Sequence, residues 1–377
     1  MMWVHVGVRI GVEMQNQLIK RLALVACAMS AGSVHAALTF NFTPAIGVPL
    51  ASYNQILPSF QTAAGLWSGV LTDDIQVNLA LNYTALSPSF TASTQVNTAP
   101  FQYSDFRPAL FDDIHSTDDS SVFLHLQKDV SDGQAFNLLL NRALLSPGDT
   151  SSATPYLDND GDDNNQTILM ALANAKAIGF EVDTDVFPTD ATITLNNTVS
   201  WDTNPLDGID GDKYDQVGIA LREIGRALGF VSGVDVLDGN SPPHGGPFGD
   251  YQFTNVTPLD LLRFSADSVA QGDGVFDWTA DGRSKYLSLD GGATSLAELS
   301  TGVNFGDGNP AGNWKAGQNT GLMDPASVMG QMLDLSTTDL RAMDAIGYNV
   351  VPEPSTIALV LAAGLFGSTR RPTRRTT

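Results

Sequence analysis

Positions 222 to 226 read Arg222-Glu223-Ile224-Gly225-Arg226, two arginines one helical turn apart with a carboxylate beside the first. On a helix, residues three and four apart are neighbours, so Arg226 can pair with Glu223 and both guanidiniums can reach one partner. Two chemistries follow. One is a plain Glu223–Arg226 ion pair in a solvated cleft, worth ~0.3–0.5 kcal/mol. The other is anion recognition, in which the two planar forks grip a carboxylate such as a peptide terminus or an acidic sugar. Neither arginine can act as a base or a metal ligand, because guanidinium stays protonated and has no lone pair to donate.

A second chemistry lies in the acidic loops. Asp158-Asn159-Asp160-Gly161-Asp162-Asp163-Asn164-Asn165 alternates oxygen donors as calcium loops do, which makes Asp158, Asp160 and Asp162 candidate calcium ligands. The loop lacks the EF-hand glycine at its sixth position, and Leu169 stands where the closing glutamate would be. The bland alternative is a turn followed by a capped helix start, and that is the reading for Asp207-Gly208-Ile209-Asp210-Gly211-Asp212. The whole chain of 377 residues carries 41 acids against 19 bases, a net charge of −22. That balance disfavours nucleic acid, which is held by clustered Lys and Arg, and favours divalent cations or basic partners. The single cysteine, Cys27, excludes an internal disulfide framework and any multi-cysteine metal site.

These residues need elements to position them. Ile56, Phe60, Ala63, Ala64 and Trp67 follow helical spacing. Ile75, Val77, Leu79, Leu81 and Tyr83 alternate as a half-buried strand. Residues 87 to 120, rich in Ser, Thr, Asn and Pro, read as loop. Val122–Leu126 and Ala135–Leu140 read as strands, Ile168–Phe180 as a helix, and Ala191–Leu195 as a short strand. The arginine pair sits on a long helix with Asp212 or Asp215 as its cap and Gly229 as its stop. Its buried stripe is Val217, Leu221, Ile224 and Leu228. The fold class expected is α+β, a mixed twisted sheet with packed helices and a more irregular C-terminal part.

The two ends read as addresses. From Met14, a polar opening with Lys20 and Arg21 leads into the apolar run Leu22–Met29 and the small-residue end Val34-His35-Ala36. That is a secretory signal, residues 1–36, directed to the Sec translocon, with residues before Met14 an over-extended start. Leu24-Val25-Ala26-Cys27 also matches a lipoprotein cleavage box. At the other end Pro352-Glu353-Pro354 precedes a short apolar stretch, Ile357–Gly367, and an arginine cluster that opens with Arg370 and Arg371. This order closely resembles the PEP-CTERM sorting signal of Gram-negative bacteria. The resemblance implies exosortase-type processing of residues 352–377, transient inner-membrane anchoring, and delivery to the envelope or an extracellular matrix. A plain C-terminal membrane anchor is the simpler alternative. The leader holds three bases and one acid and the tail four bases and one acid, so residues 37 to 351 keep 12 bases and 39 acids, a net of −27.

The string from Arg222 through Phe230 resembles the zinc-peptidase helix HExxHxxGF with both histidines replaced by arginine. Further on, Gly312-Asn313-Trp314-Lys315 precedes Gly321-Leu322-Met323-Asp324-Pro325, and Asp339–Tyr348 form a closing helix. This order is similar to the leishmanolysin-like branch of the metzincin peptidases, in which a third histidine stands just before a Trp and a Met-turn follows. The resemblance runs from the first helix to Tyr348 and divides the body into residues 37–230, ending in the motif helix, and 231–351, holding the Met-turn at Met323. It implies a zinc endopeptidase, with metal ligands at positions 222, 226 and 313 and Glu223 as general base. Here those positions hold Arg222, Arg226 and Asn313, so the expectation is a degenerate member without zinc-peptidase activity. Such a protein would act as an envelope or matrix binding protein for a peptide or an acidic polysaccharide. The competing expectation is an active metalloendopeptidase with an unconventional site, for which His244, Asp235 and Glu223 are the available donors, with Asp238 nearby. His115 and His125 read as surface or structural residues.

Overall fold

A computed structural model of the chain describes residues 38–128, 135–144 and 151–351. The leader with Cys27 and the tail with Pro352, Glu353, Pro354, Arg370 and Arg371 lie outside the described residues. Among the described residues, no helix is long and apolar enough to cross a membrane.

The fold is α+β. Strand β1 (Thr39–Pro44) is followed by helix α1 (Leu50–Ser68), whose Ile56, Phe60, Ala63 and Trp67 are buried as their spacing requires. Next come β2 (Gln76–Thr84), β3 (Ala92–Val96) and β4 (Thr98–Gln102), then α2 (Tyr103–Asp112) and α3 (Thr117–His125). After them run β5 (Leu138–Leu140), β6 (Tyr156–Asp158), β7 (Thr167–Ala171), α4 (Leu172–Ala177) and β8 (Ala191–Asn196). The main sheet has the order β1-β2-β8-β3. Its first three strands are parallel, and β3 runs antiparallel to β8 along one edge. Helix α1 packs on β1 and β2 and also along α5 (Gln216–Ala227), which carries the arginine pair and lies beside β3.

Four local expectations change. Residues 87 to 120 hold β3, β4, α2 and the start of α3 rather than loop. Their Ser, Thr and Pro content reflects half-exposed strands, with Pro100 accommodated in the two-stranded β4–β7 ladder. Val122–His125 lies in helix α3 instead of a strand, with Leu126 as its C-cap, because a capping box between Ser116 and Asp119 starts a helix that overrides the local β preference. Of Ala135–Leu140, only Leu138–Leu140 is strand. The stretch Ile168–Phe180 divides into strand β7 and the short helix α4. Its apolar run is buried on both faces, where periodicity does not separate helix from strand.

Beyond α5 come α6 (Val234–Asn240), short antiparallel strands at Arg263–Phe264, Lys285–Leu287 and Ala297–Leu299, and finally α7 (Thr337–Ala345). One hydrophobic core spans residues on both sides of position 230, including Trp67, Phe230, Trp314, Met323 and Tyr348. Asp339, inside the capping box of α7, holds the 314–323 segment in place. It accepts hydrogen bonds from Trp314 Nε1 at 2.7 Å and from the Leu322 amide at 2.7 Å. Burial pushes its carboxyl above the ordinary range.

The C-terminal helix is joined to α3 and to the start of β2 through carboxyls. Asp73 accepts from the Asn349 amide at 3.2 Å, Asp113 from Asn349 Nδ2 at 3.3 Å, and Asp344 from Ser116 Oγ at 2.6 Å. Burial is the main cause that pushes Asp73 up to about 6, and Asp113 and Asp344 each up to about 7. The native state therefore holds protons that the unfolded chain releases near pH 4. The stability these groups contribute is complete below about pH 4 and is lost as pH rises through about 6 to 7. Melting temperature in low-salt buffer is expected to fall across that interval, and Asp113→Asn is expected to flatten the slope. A slope unchanged by Asp113→Asn would contradict the assignment.

Candidate functional site

Helix α5 starts at Asp215, whose side chain accepts from the Gly218 amide at 2.8 Å; Asp212 takes no part in the cap. It ends where Gly229 adopts a φ of 110°, a left-handed conformation that costs glycine little. Val217, Leu221, Ile224 and Leu228 are all buried. Trp67 of α1 donates its indole N–H to the Leu221 carbonyl at 2.9 Å, fixing the rotation of α5. Gly225 faces Met323 and Trp67 so closely that a Cβ there would collide with the Met323 methyl, so Met323 packs against α5 at Gly225.

The residues singled out in the sequence meet at one place. Glu223 Oε2 accepts from Thr94 Oγ1 of β3 at 2.7 Å, and Oε1 lies 3.3 Å from Arg222 Nε. Arg226 Nε stands 3.8 Å from Oε2. Arg222 also donates to Ser327 Oγ at 2.8 Å, and Arg226 donates to Asn313 Oδ1 at 2.5 Å. Arg222, Glu223 and Asn313 are buried, while the Arg226 side chain keeps 20% exposure. Burial lowers the Arg222 pKa, the Glu223 charge opposes that shift, and the neighbouring Arg226 charge adds to it.

The Glu223–Arg226 i,i+3 pair is present beside a cleft, but Glu223 is buried and its closer cation is Arg222. The two arginines do not form an open pincer. Arg222 is committed to Glu223 and Ser327, which leaves Arg226 as the more accessible cation. A cleft of about 680 Å³ opens onto this cluster, lined by the Leu86–Thr94 stretch, Tyr214 and Pro325–Ser327. Its charged lining residues are Arg222, Glu223 and Arg226, a formal +1 in a strongly acidic chain. Thr94 and Ser327 carried no signal in the sequence: Thr94 lies in the stretch read as loop, and Ser327 belongs to no motif.

The alternative donors do not assemble around Glu223. His244 is exposed and meets the Phe305 ring edge-on at 5.2 Å. Asp235 accepts from the Ala311 amide at 2.7 Å, with burial pushing its pKa up to about 6. Asp238 accepts from the Asn304 and Phe305 amides. His115 is exposed and His125 half-buried, each with Nδ1 against a nearby backbone carbonyl. Among the described residues, the one group of three His, Cys, Asp or Glu side chains that converges is Asp158, Asp160 and Asp250. Asp162, expected in that set, instead caps a short helical turn by accepting from the Asn164 amide. Asp250 takes its place from a distant 3₁₀ turn, Asp250–Gln252, that no local pattern announced.

No protein-family model matches the chain, and neither a curated protein nor a solved structure does.

The buried pair makes a quantitative prediction. Glu223→Ala would leave the Arg222 guanidinium buried with a single hydroxyl partner, and is expected to destabilise the protein by ~3–5 kcal/mol. Replacing both, Arg222→Met with Glu223→Leu, is expected to cost under ~1 kcal/mol, since an apolar pair of similar volume needs no desolvation. Urea denaturation of the two variants checks this. Equal destabilisation by both would show that the ion pair is not the relevant unit.

Proposed function

We propose that this chain is an exported binding protein built on the plan of a leishmanolysin-like metzincin peptidase, in which a buried ion-pair network replaces the catalytic metal. The observation that carries the reading is the convergence of Arg222, Glu223, Arg226 and Asn313, contributed by a helix and a segment far along the chain, with Met323 packed on the same helix at Gly225. These are the positions at which the family resemblance implies zinc. The donor set does not fit that ion. Two guanidiniums offer no lone pair and repel a dication, and the Asn313 oxygen already accepts from Arg226. Glu223, implied as the general base, is held by Thr94 and Arg222 and has no metal-bound water to activate. The protein is accordingly proposed to be inactive as a zinc peptidase.

The cleft is proposed to bind rather than cleave. It is bordered by β3, the edge strand of the main sheet, and its lining is positively charged within an acidic protein. An extended peptide with an acidic end, or an acidic polysaccharide of an extracellular matrix, fits that combination. Export through the Sec translocon and exosortase-type sorting to the envelope of a Gram-negative cell belong to the same proposal. They rest on the leader and on the ordered Pro-Glu-Pro, apolar and arginine segments of the tail.

The purified protein, equilibrated with zinc and desalted, is expected to carry well under one zinc per chain by elemental analysis. It is also expected to leave casein intact with or without chelator. Arg222→His, Arg226→His and Asn313→His combined are expected to raise the content to one zinc per chain. Stoichiometric zinc and chelator-sensitive cleavage by the parent protein would establish the competing active peptidase.

A further inference from the structure

Two carboxylates are buried beside one another away from the cleft. Asp158, at the end of β6, is 4% exposed, and Asp250 is 5% exposed. With the exposed Asp160 they bring three carboxylate oxygens within 4.8 Å of one another. Among the described residues, no Lys or Arg pairs with any of the three. Buried carboxylates are ordinarily paired with a cation, bound to a metal, or protonated.

A second observation concerns Asn164, which is 1% exposed if measured over its whole residue. Its Nδ2 donates to Asp158 Oδ2 at 2.7 Å, so the carboxamide stands directly against this carboxylate. Its other polar atom, Oδ1, is buried without a hydrogen-bond partner. A buried amide oxygen left without a donor costs about 1–3 kcal/mol. Turning the amide over exchanges its nitrogen for that oxygen, which would add a fourth oxygen beside Asp158.

We infer that Asp158, Asp160 and Asp250, with the Asn164 amide oxygen, form a calcium site that ties the loop after β6 to the Asp250–Gln252 turn. The donors are all oxygens, which suits a hard cation and not zinc. Calcium accepts several protein oxygens in a flexible geometry, whereas magnesium at about 2.1 Å demands a near-ideal octahedron and keeps most of its waters, so three carboxylates and an amide drawn from separate segments suit calcium.

The test uses the purified full chain after chelator dialysis, titrated with calcium chloride by calorimetry and melted in millimolar calcium or magnesium. Saturable binding of one calcium, with a melting temperature raised more by calcium than by magnesium, is expected for the parent and for Asp162→Asn. Asp250→Asn and Asp160→Asn are each expected to weaken binding at least about tenfold. Asp160 is exposed, so its variant decides the matter if Asp250→Asn does not fold. Absence of saturable binding to the parent, parental affinity in Asp160→Asn, or equal stabilisation by magnesium would overturn the assignment.

Discussion

The arrangement of the cleft depends on one buried carboxylate. Glu223 sits on α5 with a guanidinium on either side, and a hydroxyl from β3 completes its coordination. A carboxylate removed from water must recover its lost hydration from neighbours, so Thr94, Arg222 and Arg226 are constrained together. Each of them then fixes something further away. Thr94 ties the edge strand to α5, Arg222 reaches the segment after Met323 through Ser327, and Arg226 takes hold of Asn313. The close approach of Gly225 to Met323 and the indole bond from Trp67 to Leu221 set the rotation of the helix that makes these contacts simultaneous.

The rest of the molecule handles its acidity in different ways. Asp339 is buried but surrounded by donors, and so serves as a structural tie between α7 and the Trp314–Met323 segment. Asp277 and Asp281 are matched by Lys285 and Arg283. The Asp73, Asp113 and Asp344 group is held mainly by amides and hydroxyls, and its members share a raised proton affinity. The Asp158, Asp160 and Asp250 group accepts from Asn164, Tyr156 and nearby amides, but its oxygens converge on one point beside the unpartnered Asn164 Oδ1, which is why a bound cation is inferred there.

Legibility in the sequence followed the strength of local periodicity. Helix α1, strands β2 and β8, and helix α5 with its Asp215 cap and Gly229 stop were readable because apolar spacing and end signals agree. The region from Ser87 to Leu126 was not, because β3 and β4 are built from Ser, Thr and Pro, and α3 depends on a capping box that outweighs its β-branched content. At the site, Arg222, Glu223 and Arg226 were visible as a helical triplet, and Asn313 only through a resemblance in motif order. Thr94, Ser327 and Asp250 were invisible, because each acts through a tertiary contact without a local pattern.

Ionic and hydrogen-bonded side chains are proposed to fill the place that the family resemblance gives to a metal. A crystal of the full chain grown in excess zinc and measured on both sides of the zinc absorption edge tests it directly. No zinc-specific density is expected among residues 222, 223, 226 and 313, with the Arg226–Asn313 bond retained. A zinc peak bonded to Glu223 or Asn313, with the arginines swung aside, would contradict it.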